Sequence, residues 1–202
     1  MMHDVKIYTY PKSRSLRVLW TLEEIGAPYT AVKTDLLSRQ PQVKSPHPFG
    51  KVPYLTSQDI SLGETLAICM YLCETLTSGT LYPETPADKA TVNSWLSFAL
   101  TDLESPVWHL LKQLVFVPED QRNHDLVSYF REETRNAVSR ITFPPGQDWI
   151  TGNTFTLADI FVSHTLQWAK FCGIFLNEQL ETYLSNAMKR PAFLRAEEKN
   201  NR

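Results

Sequence analysis

The amino-acid sequence predicts an α/β domain over residues 1–78 and an all-helical domain over residues 87–202, joined by a linker over residues 79–86. In the first part, short β-branched and aromatic runs alternate with helical patterns in the order β-α-β and then β-β-α. The linker contains closely spaced Gly, Thr and Pro, which favour turns. Beyond it the apolar residues recur at helical spacing, so a sheet domain is followed by a helical one.

The first β-α-β unit is marked by two strand patterns around one helix pattern. Residues 5–10 alternate their side chains between two faces, which predicts a strand. Residues 15–25 place Leu and Ile at helical spacing, and Gly26 then provides a typical helix stop. Residues 29–33 predict the second strand, and the prolines that follow indicate an irregular connection.

The rest of this domain is predicted as two short strands and a helix. Residues 52–55 and 60–62 have strand-like composition and flank a polar turn. Pro53 interrupts the first of these runs. Because proline cannot donate a backbone hydrogen bond, we expect it at a strand start or on an edge strand, and after a cis peptide bond. Glu64 then opens an apolar helix over residues 66–76.

The backbone near Pro53 and the start of the following helix together indicate a ligand site. Peptide groups beside a strand proline stay unpaired and can hydrogen-bond another molecule. At Glu64 and Thr65, the free N–H groups and the positive dipole end of a helix attract a carboxylate. An exposed peptide edge beside an anion-binding helix start is what a small acidic peptide requires.

Four helical patterns follow the linker, at residues 90–103, 126–141, 161–168 and 180–184. Pro106 is predicted to break the helix at the end of the first pattern. No internal repeat interrupts this part of the chain, which is therefore expected to form one all-helical domain.

One helix start in this domain carries a capping signal. Thr156 stands at the N-cap and Asp159 three residues later, which is the arrangement of a capping box. Phe155 and Ile160 occupy the two positions of a hydrophobic staple around it. We interpret the segment as a folding and stability device with no part in the chemistry.

Composition and charge limit the classes of function. The net charge of −2, without a basic block, argues against nucleic acid as a partner. No apolar run reaches the roughly 20 residues that span a bilayer, and no signal-peptide pattern opens the chain. Cys69, Cys73 and Cys172 form no CxxC pair, and the five histidines lack metal-ligand spacing. We therefore expect a cytoplasmic protein with buried thiols and with no metal, membrane or nucleic-acid partner.

Five segments, in order and spacing, resemble the cytosolic glutathione S-transferase family. They lie at residues 10–26, 47–53, 64–65, 155–159 and 190–193, and the resemblance covers nearly the whole chain. It implies a thioredoxin-like N-terminal domain, an all-helical C-terminal domain, glutathione as co-substrate, a homodimer and a role in detoxification.

The resemblance also implies which group activates the glutathione thiol. Ser13 matches the position of the catalytic serine in theta-like members. Arg14 stands where beta-class members keep a cysteine, which argues against a mixed-disulfide mechanism. Tyr10 and Ser15 remain alternatives to Ser13 at this stage.

Glutathione-binding residues are implied in the same way. Val52, before Pro53, resembles the residue whose backbone pairs with the cysteinyl part of glutathione, and Lys51 is placed to reach the glycyl carboxylate. Glu64 and Thr65 resemble the Glu-Ser pair that holds the γ-glutamyl end. Thr65 replaces the usual serine but keeps the hydroxyl group.

The second substrate and the exact activity stay open. Tyr10 and Trp108 are candidates for a second-substrate pocket, but the electrophile is not identified by the sequence. The favoured function is a glutathione S-transferase that activates the thiol for attack on small electrophiles. Two alternatives are a glutathione-dependent isomerase, peroxidase or thiol reductase on the same site, and a non-catalytic binding protein. The set Ser13, Val52 and Glu64 favours an active enzyme over the last alternative.

Overall fold

A computed structural model describes residues 4–76, 79, 81–143 and 145–201, and the chain divides into two compact units. The sheet unit contains Met1–Glu84 and Lys189–Arg202, and the helical unit contains Thr85–Met188. Thr80 of the predicted linker lies outside the described residues, as do residues 1–3 and 77–78 of the predicted first domain.

The sheet unit is built on a four-stranded mixed sheet with the strand order β2-β1-β3-β4. Its strands are β1 (Lys6–Thr9), β2 (Thr30–Lys33), β3 (Tyr54–Thr56) and β4 (Ser61–Leu62). β1 pairs with β2 in parallel, whereas β3 runs antiparallel to both β1 and β4. The predicted succession of β-α-β and β-β-α is therefore confirmed.

Two helices of this unit match their predictions closely. α1 (Ser15–Ile25) ends at Gly26, which has φ 75° and donates its N–H to the carbonyl of Leu22. Glycine adopts this left-handed conformation without a steric cost, which explains the stop. α2 (Thr65–Leu76) starts one residue earlier than predicted. Fully buried apolar side chains of the sheet and of both helices form the core: Ile7, Val18, Leu19, Leu22, Leu55, Ile68 and Leu72.

The C-terminal helix α8 (Pro191–Asn201) belongs to the sheet unit, although the sequence analysis grouped it with the helical domain. It packs against α1, where the ring of Phe193 meets Trp20 edge-on at 4.8 Å between centroids. Arg190 donates two hydrogen bonds to the carboxylate of Glu24, at 2.5 and 2.7 Å. These contacts join the last segment of the chain to its first helix.

A second acidic residue of α1 extends this attachment. Glu23 accepts hydrogen bonds from Arg195 and Lys199, each at 2.6 Å, and from the hydroxyl of Tyr29 at 2.8 Å. Burial disfavours the carboxylate of Glu23, but the hydrogen bonds from these three groups outweigh it and hold its pKa below the ordinary value.

The described part of the helical unit contains α-helices joined by turns, which confirms the predicted all-helical domain. They are α3 (Pro86–Phe98), α4 (Glu104–Phe116), α5 (His124–Ser139), α6 (Leu157–Phe171) and α7 (Glu178–Met188), with a π-helical turn at Ala99–Leu103 and a 3₁₀ turn at Glu119–Gln121. Within the described residues, no helix combines the length and apolarity needed to cross a bilayer.

The predicted break at Pro106 is wrong, because this proline lies in the first turn of α4. The π-helical turn Ala99–Leu103 comes directly before α4, and its wider backbone accommodates a residue that has no N–H to donate. α3, the π-helical turn and α4 therefore follow one another without a gap.

The predicted capping box at the start of α6 is present. The backbone N–H of Thr156 donates to the carboxylate of Asp159 at 2.8 Å. The other carboxylate oxygen accepts the N–H of Ile150 at 3.0 Å and the hydroxyl of Tyr183 at 3.0 Å. Asp159 is fully buried, and burial raises its pKa in spite of these hydrogen bonds. One side chain thus joins the start of α6, the preceding loop and α7.

We expect Asp159→Ala to lower the free energy of unfolding by about 3 kcal/mol or more. The change would leave the N–H groups of Ile150 and Thr156 and the hydroxyl of Tyr183 without their acceptor in a dry interior. Urea denaturation followed by circular dichroism measures the loss. Thr156→Ala, which removes one capping side chain, should cost roughly 0.5–2 kcal/mol. Equal losses for both variants would contradict the joining role of Asp159.

Candidate functional site

Three loops meet at one end of the sheet because of the strand pairing. β1 and β3 are antiparallel with Tyr8 opposite Tyr54, so the end of β1 lies beside the start of β3. β3 and β4 are antiparallel with Leu55 opposite Leu62, which brings the end of β4 to the same side. The residues after β1, before β3 and after β4 therefore lie together. They are residues 10–14, 45–53 and 63–65, which contain all the glutathione-site residues predicted from the sequence.

Ser13 presents a half-buried hydroxyl just before α1. Its Oγ accepts the backbone N–H of Ser15, the first residue of α1, at 3.2 Å, so Ser13 supports the start of the helix, although Arg14 stands at the N-cap position. The same Oγ lies 2.7 Å from the carbonyl oxygen of Tyr10 and 2.9 Å from Oγ of Ser15. A hydroxyl has one proton, so it donates to one of these oxygens at a time and can turn to another acceptor.

The accessibility of the neighbouring groups separates the alternatives to Ser13. Ser15 has no exposed surface, because it lies in the first turn of α1 facing the core. Tyr10 is half-buried, and its carbonyl accepts both the N–H and the hydroxyl of Ser13. Of the two serines, Ser13 is therefore the one that keeps exposed surface.

The loop before β3 has the backbone that the sequence analysis expected. The peptide bond between Val52 and Pro53 is cis, as predicted. Pro53 is buried, Val52 is half-buried and Lys51 is exposed, so the cation is free to reach solvent or a ligand. The hydroxyl of Ser45 donates to the carbonyl of Lys51 at 2.7 Å and closes the loop on itself.

Glu64 has a strained backbone at the start of α2. Its φ of 62° is left-handed, a conformation that is uncommon for residues other than glycine and is concentrated at functional sites. Its carbonyl accepts the N–H of Ile68 at 3.0 Å, so Glu64 stands at the N-cap. The side chain of Glu64 is exposed whereas Thr65 is buried. The carboxylate of Glu64 and the positive end of α2 thus lie side by side. The first can bind an amine of a ligand, and the second can bind a carboxylate of the same ligand.

The residues predicted for a second-substrate pocket lie in different units. Tyr10 follows β1 in the sheet unit, and Trp108 lies on α4 in the helical unit. Trp108 is half-buried, and the centroids of its ring and of the Trp168 ring are 5.8 Å apart. Nζ of Lys112 also lies 5.8 Å from the centroid of the Trp108 ring. Trp108 therefore belongs to an aromatic cluster of α4 and α6.

The cysteines are unsuited to nucleophilic chemistry. All three are free and buried, as the sequence analysis predicted. Burial raises the pKa of Cys69 to about 12 and that of Cys172 to about 11, and it raises the pKa of Cys73 as well. Among the described residues, no group of three or more His, Cys, Asp and Glu side chains could hold a metal ion.

Sequence profiles and relatives agree with this geometry. The profiles of the glutathione S-transferase N-terminal and C-terminal domains match residues 3–74 and 106–191. Glutathione S-transferase 4 of Zea mays is 31% identical over 185 residues, which cover 84% of this chain and 81% of that protein. Glutathione S-transferase GST-4.5 of Xanthomonas campestris pv. campestris is 28% identical over 179 residues and covers 86% of each chain.

The chain belongs to the glutathione S-transferase family. The theta class glutathione S-transferase of Xanthomonas axonopodis pv. citri, solved with glutathione bound, superposes with a TM-score of 0.79 at 24% identity, covering 96% of this chain and 97% of that one. The predicted family, the glutathione transferase enzyme class and the thioredoxin-like fold followed by a helical domain are thereby confirmed.

Two features of the glutathione S-transferase site were missed by the sequence analysis. The left-handed backbone of Glu64 cannot be predicted from the residue type, since glutamate rarely adopts this conformation. The sequence analysis assigned no role to His47, the first residue of the segment 47–53, yet its ring lies against Tyr54 and Gly63. Only the tertiary structure shows that this side chain contacts two of the three loops.

Proposed function

We propose that this glutathione S-transferase binds glutathione at the loop end of its sheet and uses Ser13 to activate the thiol for attack on a small electrophile. One observation carries the proposal: Ser13 keeps exposed surface at the N-terminus of α1, while Ser15 is fully buried. Family membership supplies the chemical context.

Ser13 is suited to stabilise a thiolate. A thiol with a pKa of about 8.5 is only a few per cent ionised at neutral pH, and lowering that pKa to about 6.5 needs about 2.7 kcal/mol. A hydrogen bond to a charged acceptor provides roughly 1.5–3 kcal/mol, and a helix N-terminus adds roughly 0.3–1 kcal/mol. The N–H of Ser15, which donates to Oγ of Ser13, also polarises the hydroxyl and makes it a better donor.

The glutathione backbone is proposed to lie along the same end of the sheet. The amine of its γ-glutamyl group would pair with Glu64, and the adjoining carboxylate would accept N–H groups at Thr65. The backbone of Val52, before Pro53, would pair with the cysteinyl part, and Lys51 would bind the glycyl carboxylate. The theta class relative from Xanthomonas axonopodis pv. citri was solved with glutathione bound, which supports this ligand.

The electrophile is proposed to be a small molecule, for which Tyr10 of the sheet unit and Trp108 of the helical unit are each candidate contacts. An aromatic cluster around Trp108 suits an apolar or aromatic substrate, since ring faces and edges pack well on one another.

A second candidate activity uses the same thiolate. Maleylacetoacetate isomerase of Rhizobium meliloti is 35% identical over 114 residues, which cover 54% of this chain. A glutathione-dependent isomerase would need the thiolate at Ser13 but would return glutathione unchanged. An assay that follows both glutathione consumption and substrate isomerisation separates the two activities.

A homodimer in the cytoplasm is also part of the proposal. The sheet unit exposes apolar side chains on the connection between β2 and β3: Phe49 is 80% exposed and Leu37 is 64% exposed. Large apolar side chains on a surface often mark a protein interface. We infer that the sheet unit of one subunit packs on the helical unit of the other.

Glu64→Ala is expected to weaken glutathione binding at least about tenfold, because a charge-assisted hydrogen bond to the amine is lost. Isothermal titration calorimetry measures the dissociation constant. Glu64→Gln keeps the shape but removes the charge, and it should weaken binding by a similar factor. Glu119→Ala removes an exposed carboxylate of the helical unit and is the matched control. Wild-type affinity in both Glu64 variants would refute the assignment.

Ser13→Ala is expected to raise the pKa of the bound glutathione thiol and to slow conjugation about tenfold or more, while affinity changes little. The thiolate absorbance in the ultraviolet, followed against pH, measures the pKa. The variant should also lose about 1 kcal/mol of stability, since Ser13 supports the start of α1.

The control for this prediction is Thr85→Ala, which removes the cap of α3 in the helical unit. It should lower stability by a similar amount and leave the thiol pKa unchanged. If Ser13→Ala retains both the pKa and the rate, Ser13 only supports the helix start, and Tyr10 or backbone N–H groups must activate the thiol.

Light scattering at micromolar concentration is expected to give twice the mass of one chain. Phe49→Ser should shift the equilibrium toward the monomer, because it removes a large apolar side chain that is 80% exposed in the single chain. A monomeric mass for the wild type would contradict the proposed dimer.

A further inference from the structure

The imidazole of His47 contacts two of the three loops of the proposed glutathione site. Within its own loop, Nδ1 accepts the backbone N–H of Phe49 at 3.0 Å. The ring meets Tyr54 edge-on, with centroids 5.3 Å apart and planes at 81°. On its other edge it lies against the backbone of Gly63, where an added Cβ would come within 3.0 Å of Cδ2 and Nε2. Gly63 directly precedes Glu64, so this ring links the loop before β3 to the start of α2.

The loop that His47 belongs to is held by few hydrogen bonds. The carbonyl of His47 accepts the N–H of Gly50 at 2.8 Å, and Oγ of Ser45 accepts the N–H of His47 at 3.3 Å. The hydroxyl of Ser45 then donates to the carbonyl of Lys51. No strand or helix includes these residues, so the conformation of their backbone depends on these hydrogen bonds. In one of them, the acceptor of the Phe49 N–H is the side-chain atom Nδ1 of His47.

We propose that His47 is a positioning residue: as neutral imidazole it holds the loop at residues 45–53 against Gly63 in the glutathione-binding conformation, and its protonation weakens glutathione binding. The inference rests on the proposed function, since it concerns the same loop. It adds a pH response that the family assignment does not contain.

The chemistry of the ring gives the sign of this response. Nδ1 can accept the N–H of Phe49 only while it carries no proton, and in the neutral ring Nε2 then carries the hydrogen. Protonation makes both ring nitrogens donors, so two N–H groups would face each other at this contact. Imidazole is the side chain that changes charge between pH 5 and 8. Binding should therefore be complete at neutral and alkaline pH and weaken on acidification.

The charged and titratable neighbours modify this response without reversing it. Tyr54 faces the ring from β3, and Lys51 lies in the same loop with its Nζ 6.0 Å from the ring centroid of Phe49. Glu64 follows Gly63, on which the ring rests. The cation of Lys51 disfavours a second positive charge in the loop, whereas the carboxylate of Glu64 favours it. Neither group restores an acceptor for Phe49.

Asparagine provides a matched substitution. In His47→Asn, the side-chain Oδ1 stands about where Nδ1 stands and accepts the N–H two residues on, as asparagine does in turns. An amide does not titrate, so this variant keeps the acceptor and loses the pH response. His47→Leu has similar bulk but no acceptor, and it should lose the loop contact at every pH.

The test measures binding of S-methylglutathione by calorimetry at about pH 7.5 and about pH 5.5, a range over which histidine changes charge. This ligand has no free thiol, so thiol ionisation does not contribute. We expect the affinity of the wild type to fall about three- to tenfold at the lower pH, as for the loss of one hydrogen bond. The affinity of His47→Asn should not change between the two values, and His47→Leu should bind about three- to tenfold more weakly than the wild type at the higher value, also without a pH dependence.

His124→Asn is the control, since it removes an exposed imidazole at the start of α5 and should keep the wild-type pH dependence. The inference is overturned if His47→Asn retains that dependence or if His47→Leu binds like the wild type at the higher pH. Thermal melting of each variant shows whether the fold is intact. A wild type that does not bind S-methylglutathione at the higher pH would instead refute the proposed function, and the positioning role of His47 with it.

Discussion

The antiparallel pairing of β3 with both β1 and β4 is the constraint on which the candidate site depends. It fixes which chain segments meet, since the end of β1, the start of β3 and the end of β4 lie on the same side of the sheet. α1 and α2 both begin at this side, and their positive dipole ends therefore face the same region. The site is thus favourable for an anionic ligand before any side chain is considered. Ser13 and Glu64 add a hydroxyl donor and a carboxylate to this region, and these are the groups proposed to select among anions.

A single hydroxyl at this site has two functions, one that uses a lone pair of its oxygen and one that uses its proton. The oxygen of Ser13 accepts the N–H of Ser15 and so stabilises the start of α1. Its proton is the group proposed to stabilise the thiolate. The two functions are compatible because accepting one hydrogen bond makes a hydroxyl a stronger donor in another. A residue that accepts a helix N–H can therefore also donate to a ligand when it keeps exposed surface, as Ser13 does, whereas Ser15, in the first turn of α1, is fully buried.

The sequence predicted the helices, strands and caps of this protein better than it predicted which of them pack together. Helix α1 and its stop at Gly26, the cis bond before Pro53 and the capping box at Thr156 follow from local residue preferences, and all are present. The place of α8 depends on contacts between residues far apart in the chain, which no local pattern carries.

The same distinction applies to the candidate site. The family motif led to Ser13 and Glu64, but the burial of Ser15 and the left-handed backbone of Glu64 depend on packing. Pro106 was misjudged because the π-helical turn before it is a backbone irregularity that the residue types do not indicate.

The ion pairs that attach α8 to α1 are lost at a lower pH than the one at which the proposed pH response of the site occurs. Glu23 has a pKa below its ordinary value, because hydrogen bonds from Lys199, Arg195 and Tyr29 outweigh the effect of burial. A carboxylate with a lowered pKa contributes stability that is complete above its unfolded-state pKa, about 4.3 for glutamate, and is lost as the pH falls through the folded-state value. The range between pH 5 and 8, in which an imidazole side chain changes charge, lies above this value, so the Glu23 carboxylate stays ionised there. The loss of glutathione affinity proposed for that range would therefore act through the site loop, while α1, which follows Ser13, stays anchored by α8.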